Sequence, residues 1–307
     1  MQQLFASIRR VAMVDEPVLI SGESGTGKEL VARAIHAESP RAERCFVAVN
    51  CASVPEALLE AEFFGHTANA FTGAGAARRG LMAEAHGGTL FLDEIGEMAG
   101  ALQAKLLRAL QERTVRPLGG TEETRVDVRI ITATNRDLEA EVEAGRWRED
   151  LYYRLEALAL EVPPLRERGS EDRVVLAAHF LAALAAQRGL PGLRLAESAF
   201  DALHSYAFPG NVRELGNALA RAATFCEDGE IELRHLPRRI REKLSHSGHD
   251  ADPLGINAEP PPTLAQLEER YIRWIIGRTG NNKRRAAKVL DVGRRTIYRK
   301  LDAGETE

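Results

Sequence analysis

A chain of 307 residues, 44% apolar and 28% charged, is long enough for two or three domains with ample buried cores and ordinary in composition for a soluble globular protein. Its three cysteines (Cys45, Cys51, Cys226) form no C-x-x-C pair and its histidines lack metal-ligand spacing, which argues against both a disulfide framework and a zinc site. The net charge of −4 is uneven: from Thr263 onward eleven Lys and Arg face six Asp and Glu, a surplus of +5 that leaves −9 on the rest and singles out the tail as the part that meets nucleic acid.

The first residues, MQQLFASIRRVAMVDEP, mix charge and apolar side chains too early for a signal peptide. Next comes PVLISG, a short apolar strand that runs into SGESGTGKE and then into the amphipathic helix KELVARAIHAES. CFVAVN, GTLFLDEI and VDVRIITATN read as three further strands, with helices between them such as ALQAKLLRALQER. Strands alternating with helices predict an α/β architecture with a parallel sheet covered on both faces. After VPPLRER the pattern turns to helix throughout, from about Glu171 to about Leu244. The most apolar stretch there, VVLAAHFLAALAA, is too short to span a bilayer and carries His179. SHSGHDADPLGINAEPPP has linker composition, and the last segment forms a compact helical module. The expected division is therefore an α/β subdomain over 1–168, a helical subdomain over 169–242, a linker over 243–262 and a helical DNA-binding module over 263–307.

Gly22, Gly27 and Lys28 fit the phosphate-loop pattern G-x-x-x-x-G-K, in which backbone N–H groups and a helix N-terminus cradle phosphates and Lys28 adds a point charge. The residue after the Lys, ordinarily a hydroxyl that sits on Mg²⁺, is Glu29. FLDEI strengthens the nucleotide reading. Asp93 and Glu94 end an apolar strand expected beside the loop, where Asp93 can hold Mg²⁺ through water and Glu94 can deprotonate an attacking water. Asn135 ends the next strand, as a γ-phosphate sensor or simply a turn former.

SGESGTGKE, AFTGA, GGTLFLDEI, WREDLYYRL, VPPLRER and FPGNVREL occur in the order found in the AAA+ domains of bacterial enhancer-binding proteins, the ATP-driven activators of sigma-54 RNA polymerase, which the chain resembles from about residue 1 to 240. Glu after the loop Lys is a trait of that family. The resemblance implies an α/β AAA+ ATPase with an all-α lid and ATP and Mg²⁺ as cofactors. Gly22, Glu23, Ser24, Gly25, Thr26, Gly27, Lys28 and Glu29 would line the ATP site, with Arg213 of NVREL as a second sensor on the lid. It also implies that Asn50 couples Glu94 to the nucleotide state, and that Arg148 and Arg154 are arginine fingers reaching a neighbouring subunit. Without the resemblance, the local sequence favours pairing of the two arginines with Glu149, Asp150 or Glu156. A finger acting in trans requires a ring, expected to be a hexamer.

Within ANAFTGAGAARRG the residues Phe71, Thr72 and Gly73 match the family's sigma-54 contact loop, but its first Gly is Asn69. Asn is the non-Gly residue that best tolerates the left-handed region, so the backbone path is expected to survive. Leu118-Gly119-Gly120 falls in the second pore-side loop of such rings.

The tail NNKRRAAKVLDVGRRTIYRKL reads as two helices, with Ala286, Ala287 and Leu290 inside the first, Ile297, Tyr298 and Leu301 inside the second, and Asp291-Val292-Gly293 as the turn. It resembles a Fis-type helix-turn-helix. Arg294, Arg295 and Arg299, with Thr296 on the same helix, are expected to face the major groove, and Lys300 and Lys283 to contact phosphate. The preceding helix, carrying Tyr271, Trp274 and Ile275, is expected to dimerise. The whole chain then reads as a cytoplasmic activator that binds double-stranded DNA upstream of a promoter and remodels the sigma-54 polymerase complex. Two rivals stand beside it: a DNA-binding regulator whose ATPase domain is an oligomerisation switch, and a remodeller of some other protein. About 20 residues precede the phosphate loop, so control is expected from a separate regulatory protein or from an amino-terminal domain outside this chain.

Overall fold

The structure is a computed structural model that describes residues 1–70, 75–189, 192–226, 228–247, 260, 262–279, 283–293 and 296. It has two compact units, one of Met1–Arg194 with Ala207–Glu230 and one of Leu195–Tyr206 with Ile231–Glu307. In the first, β1 (Val18–Ser21), β2 (Phe46–Asn50), β3 (Thr89–Asp93), β4 (Arg129–Thr134) and β5 (Leu158–Glu161) form a sheet in the order β2-β3-β4-β1-β5. Every pair is parallel. The sequence predicts the first four. The fifth, Leu158–Glu161, was not anticipated: it is an edge strand of four residues with only Leu160 buried, so its pattern is too short to stand out before Pro163-Pro164.

The two faces of the sheet bury separate cores, as the two-residue period of a strand requires. Val18, Ile20, Phe91, Ile131, Ala133 and Leu160 pack under α1 (Gln2–Ala12) and α2 (Lys28–Ala37), which contribute Leu4, Ile8, Val31 and Ile35. Leu19, Leu90, Leu92 and Ile130 point the other way, against α3 (Glu56–Phe64), α4 (Gly100–Glu112), α5 (Leu138–Glu143) and α6 (Glu149–Leu155). In α4 the buried Leu102, Leu106 and Ala109 recur at helical spacing, which is why ALQAKLLRALQER reads as it does. Phe63 and Phe91 are essentially fully buried; truncating either to Ala would cost about 3–5 kcal/mol. Arg129, 1% exposed, opens β4 and donates to the carbonyls of Val11 (2.7 Å) and Ala12 (2.8 Å). Both carbonyls lie in the last turn of α1, where a cation complements the helix dipole.

Two antiparallel stems rise from this unit: Gly65–His66 with Arg78–Arg79, and Thr114–Val115 with Thr124–Arg125. They are laced together, since the Leu118 amide donates to the Gly65 carbonyl (2.9 Å) and the Thr67 amide to the Leu118 carbonyl (3.0 Å). Gly119 has φ +72, and a side chain there would meet Thr67 Oγ1 at 2.8 Å and Ala70 Cβ at 3.0 Å, so the approach of the two loops needs a glycine. Asn69 has φ 59, the left-handed conformation expected of it, and its amide reaches the Gly75 carbonyl (3.4 Å). Phe71, Thr72 and Gly73 lie outside the described residues.

Helix α7 (Ser170–Arg188) belongs to the first unit, α8 (Glu197–Ser205) to the second, and α9 (Asn211–Phe225) to the first, where it packs on α7. In the second unit α8 packs on α10 (Arg238–Ser247). The tail begins with α11 (Leu264–Arg278), whose Ile272, Ile275 and Ile276 close over Ala286 and Ala287 of α12 (Lys283–Val289), with Trp274 and Leu290 at the margin. Tyr271 stacks on Trp274, ring centroids 5.9 Å apart. Asp291 has φ 52, so the turn uses the left-handed residue the sequence suggested. Ile297, Tyr298 and Leu301 lie outside the described residues.

Candidate functional site

Parallel register brings the ends of the strands to one edge: Asn50 pairs with Asp93 across β2 and β3, and Ser21 with Thr134 across β1 and β4. Such an edge is where open α/β sheets place ligands. The chain leaves β1 through Gly22 (φ 148), Gly25 (φ 77) and Gly27 (φ 98) and enters α2 at Lys28. A side chain at Gly25 would stand 2.5 Å from the Gly210 carbonyl, so the glycine permits close contact with the start of α9. Thr26 Oγ1 donates to the Glu23 carbonyl (2.8 Å), closing the loop on itself.

Lys28 is 6% exposed and donates to the carbonyls of Gly22 (2.8 Å) and Glu23 (3.1 Å). An ammonium has three donors, so one remains for a phosphate oxygen. Burial draws its pKa down, while the carboxylates of Glu94 and Asp93 hold it up. These two carboxylates, Lys28, Ser24, Gly25, Gly27 and Arg213 line one cleft of about 230 Å³, with Leu30, Phe180 and Val212 as its apolar wall. Glu94 takes a left-handed backbone (φ 53) at the end of β3, and burial pushes its carboxyl pKa up, against the nearby Lys28. Asp93 Oδ1 accepts from the Glu94 amide (3.0 Å). A phosphate-binding loop with a Lys, two carboxylates and an Arg around one cavity fits a nucleotide polyphosphate with a divalent cation. Among the described residues no cluster of three His, Cys, Asp or Glu is arranged to hold a metal by itself. A cation at Asp93 would therefore share its ligation with nucleotide oxygens.

Other expected residues stand differently. The Asn50 amide reaches Asp93 Oδ2 (3.4 Å), and its oxygen accepts from the Ala52 amide (2.9 Å), so its recorded carboxylate contact is with Asp93 and not with Glu94. Asn135 lines a neighbouring cavity of about 520 Å³ with Ser21, Gly22 and Glu23, while its backbone bonds to the Glu94 carboxylate. Glu29 borders the Lys28 cleft, but its carboxylate is paired with Arg33 one helical turn on (2.8 Å). Arg148 caps the start of α6 and forks onto Asp150 (3.0 and 2.7 Å), the local pairing that sequence allowed. Arg154 is exposed, forms no ion pair among the described residues and borders a cleft with Asp15, Glu16 and Arg113. Neither arginine lines the Lys28 cleft. Arg213 does, and its guanidinium reaches Ser24 Oγ (3.3 Å).

Residues of the same region went unnoticed in the sequence. Arg166 forks onto Glu23 (2.6 and 2.9 Å), and Arg168 donates to the carbonyls of Thr26 (2.7 Å) and Pro163 (3.0 Å). Asn211 donates to Glu23 and to the Ser24 carbonyl (3.0 Å each). The motifs VPPLRER and FPGNVREL contain all three, but spacing gives no sign of which loop they serve. In the tail, Thr296 donates its amide to the Gly293 carbonyl (2.9 Å) and Lys283 opens α12; Arg294, Arg295, Arg299 and Lys300 lie outside the described residues.

Comparisons with known proteins agree with this arrangement. The description "Sigma-54 interaction domain" matches residues 1–161, "AAA+ ATPase lid domain" residues 166–253, and "Bacterial regulatory protein, Fis family" residues 263–304. The chain is 48% identical over 301 residues to the response regulator protein PilR of Pseudomonas aeruginosa, covering 98% of this chain and 67% of that protein. It is also 48% identical over 301 residues to the transcriptional regulatory protein ZraR of Escherichia coli, covering 98% and 66%. The structure of NtrX from Brucella abortus in complex with ADP superposes with a TM-score of 0.72 at 34% identity, covering 98% of this chain and 67% of that one. The chain thus spans about two thirds of the length of these relatives.

Proposed function

The chain belongs to the bacterial sigma-54-dependent activators, with a sigma-54 interaction domain, an AAA+ lid and a Fis-type helix-turn-helix, and from that membership we propose that it is an ATP-driven remodeller of the sigma-54 polymerase complex at promoters. The observation that carries the proposal is the division of the site: Lys28, Asp93, Glu94 and Arg213 share one cleft, while Arg148 and Arg154 stand outside it. A ring, taken as a hexamer, resolves that division by offering each cleft the arginines of a neighbour.

In this reading Lys28 and the loop Gly22–Gly27 hold the phosphates of ATP, and Glu23, Ser24, Thr26 and Glu29 shape the loop. Asp93 would hold Mg²⁺ through water, and the cation would supply neutralising charge to the phosphate oxygens. Glu94 takes a proton from water as its oxygen attacks the γ-phosphorus, and ADP leaves. Its raised pKa suits a base. Asn50 and Asn135, at the strand ends on either side, report whether the γ-phosphate is present. Arg213 follows the nucleotide from the lid, and the stems carry the change toward Phe71, Thr72 and Gly73, which meet sigma-54. The domain division proposed is 1–168, 169–242, 243–262 and 263–307. The tail binds duplex DNA through Arg294, Arg295, Thr296 and Arg299, with Lys283 and Lys300 on phosphates, in the cytoplasm. No helix among the described residues is long and apolar enough to cross a membrane.

The test is trapping. Purified chain, sigma-54, ADP and aluminium fluoride, a mimic of the transferring phosphoryl group, are expected to give a stable complex on a native gel that Thr72→Ala abolishes. Absence of the complex from a protein that hydrolyses ATP, beside a competent sigma-54 control, would replace this reading by the oligomerisation switch. DNA binding is expected to weaken steeply with ionic strength, as phosphate contacts require.

A further inference from the structure

The segment Phe208–Asn211 departs from ordinary backbone twice within four residues. Phe208, a bulky aromatic that is 1% exposed, has φ 49, and Asn211, 0% exposed, has φ 52. A left-handed backbone at a non-glycine residue is strained and persists where the surroundings over-determine it, commonly at clamps and switches. Here they do. The Asn211 amide nitrogen donates to Phe208 O (2.8 Å), the Gly210 amide is held by Glu214 Oε2 (2.7 Å), and the amides of Val212 and Arg213 both point to Gly25 O (3.0 and 3.3 Å).

The Asn211 side chain makes three hydrogen bonds to two separate pieces of chain. Its oxygen accepts from the Leu165 amide (2.8 Å), and its nitrogen donates to the Ser24 carbonyl and to Glu23 Oε2 (3.0 Å each). Glu23 is in turn gripped at both oxygens by Arg166, which lowers its pKa to about 2. The phosphate loop is thus tied at Glu23, Ser24 and Gly25 to the first turn of the helix that carries Arg213. Aspartate could not replace Asn211 unaided: it has no N–H to give, and its charge would face Glu23.

We propose that Asn211 is a positioning residue for nucleotide binding, one that sets the peptide planes of the phosphate loop and the stance of Arg213 over the cleft by bonding Glu23, Ser24 and Leu165 at once. The inference rests on reading the cleft as a nucleotide site. A packing role alone would protect stability and leave nucleotide affinity untouched.

The experiment uses the full chain and a fluorescent ATP analogue, with melting temperature as control and steady-state hydrolysis beside it. Asn211→Gly keeps the backbone angle and removes the side chain; Asn211→Asp keeps the acceptor and removes the donor. Both are expected to weaken the analogue roughly tenfold or more, the loss of a charge-assisted hydrogen bond, and to raise KM more than they lower kcat. Wild-type affinity in folded Asn211→Asp protein would overturn the proposal. A wild-type chain that binds no analogue would strike the nucleotide reading itself, and is distinguishable because it appears before any substitution.

Discussion

The cleft around Lys28 and the helix α6 belong to one expected reaction, yet the fold treats them in opposite ways. The cleft is closed from within: loop, strand ends and the start of α9 converge through buried or backbone hydrogen bonds. Helix α6 buries Leu151 and Leu155 and turns Arg148 and Arg154 outward, one resting on Asp150 and the other without an ion pair among the described residues. Solvent screens an exposed pair such as Arg148–Asp150, so it is readily exchanged for a stronger anion. On the proposed reading, the difference means that a single chain builds the binding half of the site and offers the other half to a neighbouring copy.

The largest effect should come from the outward half. Arg148→Ala or Arg154→Ala is expected to lower kcat by about 10³–10⁵ while leaving ATP binding intact. Mixing either variant with Lys28→Ala protein should restore part of the hydrolysis, because a mixed ring contains intact clefts beside intact arginines. Two inactive partners that stay inactive together, or full activity in both arginine variants, would break the comparison.

A somewhat smaller loss is expected from the inward half. Glu94→Gln should reduce kcat by roughly 10²–10⁴ without loss of nucleotide affinity, measured by hydrolysis and analogue binding on the same protein. A loss of binding instead would mean that Glu94 holds the loop and is not the base.

Smaller still is a shift in pH dependence. Glu94 works deprotonated, and burial raises its pKa, so the acid limb of kcat should lie above the ordinary carboxylate range. The nearby Glu97 pushes the same way. Glu97→Gln removes that charge and leaves its ion-pair partner Arg136 to Glu141, so the limb should move to lower pH. An unmoved limb would assign it to another group.

The smallest effect sharpens the boundary of the cleft. Glu29 and Arg33 are both about half exposed, and Glu29→Gln should change unfolding free energy by no more than about 0.5 kcal/mol. A larger change in denaturant unfolding would show that Glu29 carries weight in the loop beyond its pairing with Arg33.

Much of this was legible in residue order. Gly22, Gly27 and Lys28 stand where the loop pattern places them, Asp93 and Glu94 end a buried strand, and Asn69 and Asp291 take the left-handed backbone for which Asn and Asp suit. The edge strand Leu158–Glu161 was not legible, because four residues of which only Leu160 is buried leave little periodic signal. That Asn50 reaches Asp93 is set by strand register, which pairs the ends of β2 and β3 and which FVAVN alone does not encode. Asn211 was passed over inside FPGNVREL, where only Arg213 drew notice.

The sequence by itself determined the local pieces: a glycine-punctuated loop between strand and helix, apolar runs for a two-faced sheet, and a basic tail with a turn. These follow from what each backbone can adopt and which side chains avoid water, and both are properties of neighbours along the chain. Tertiary structure alone decided that Asn211 meets Glu23 from 188 residues away, and that Arg213 enters the cleft while Arg148 and Arg154 face out. Those outcomes depend on strand order and on the angle at which α9 begins, and no stretch of sequence encodes either locally.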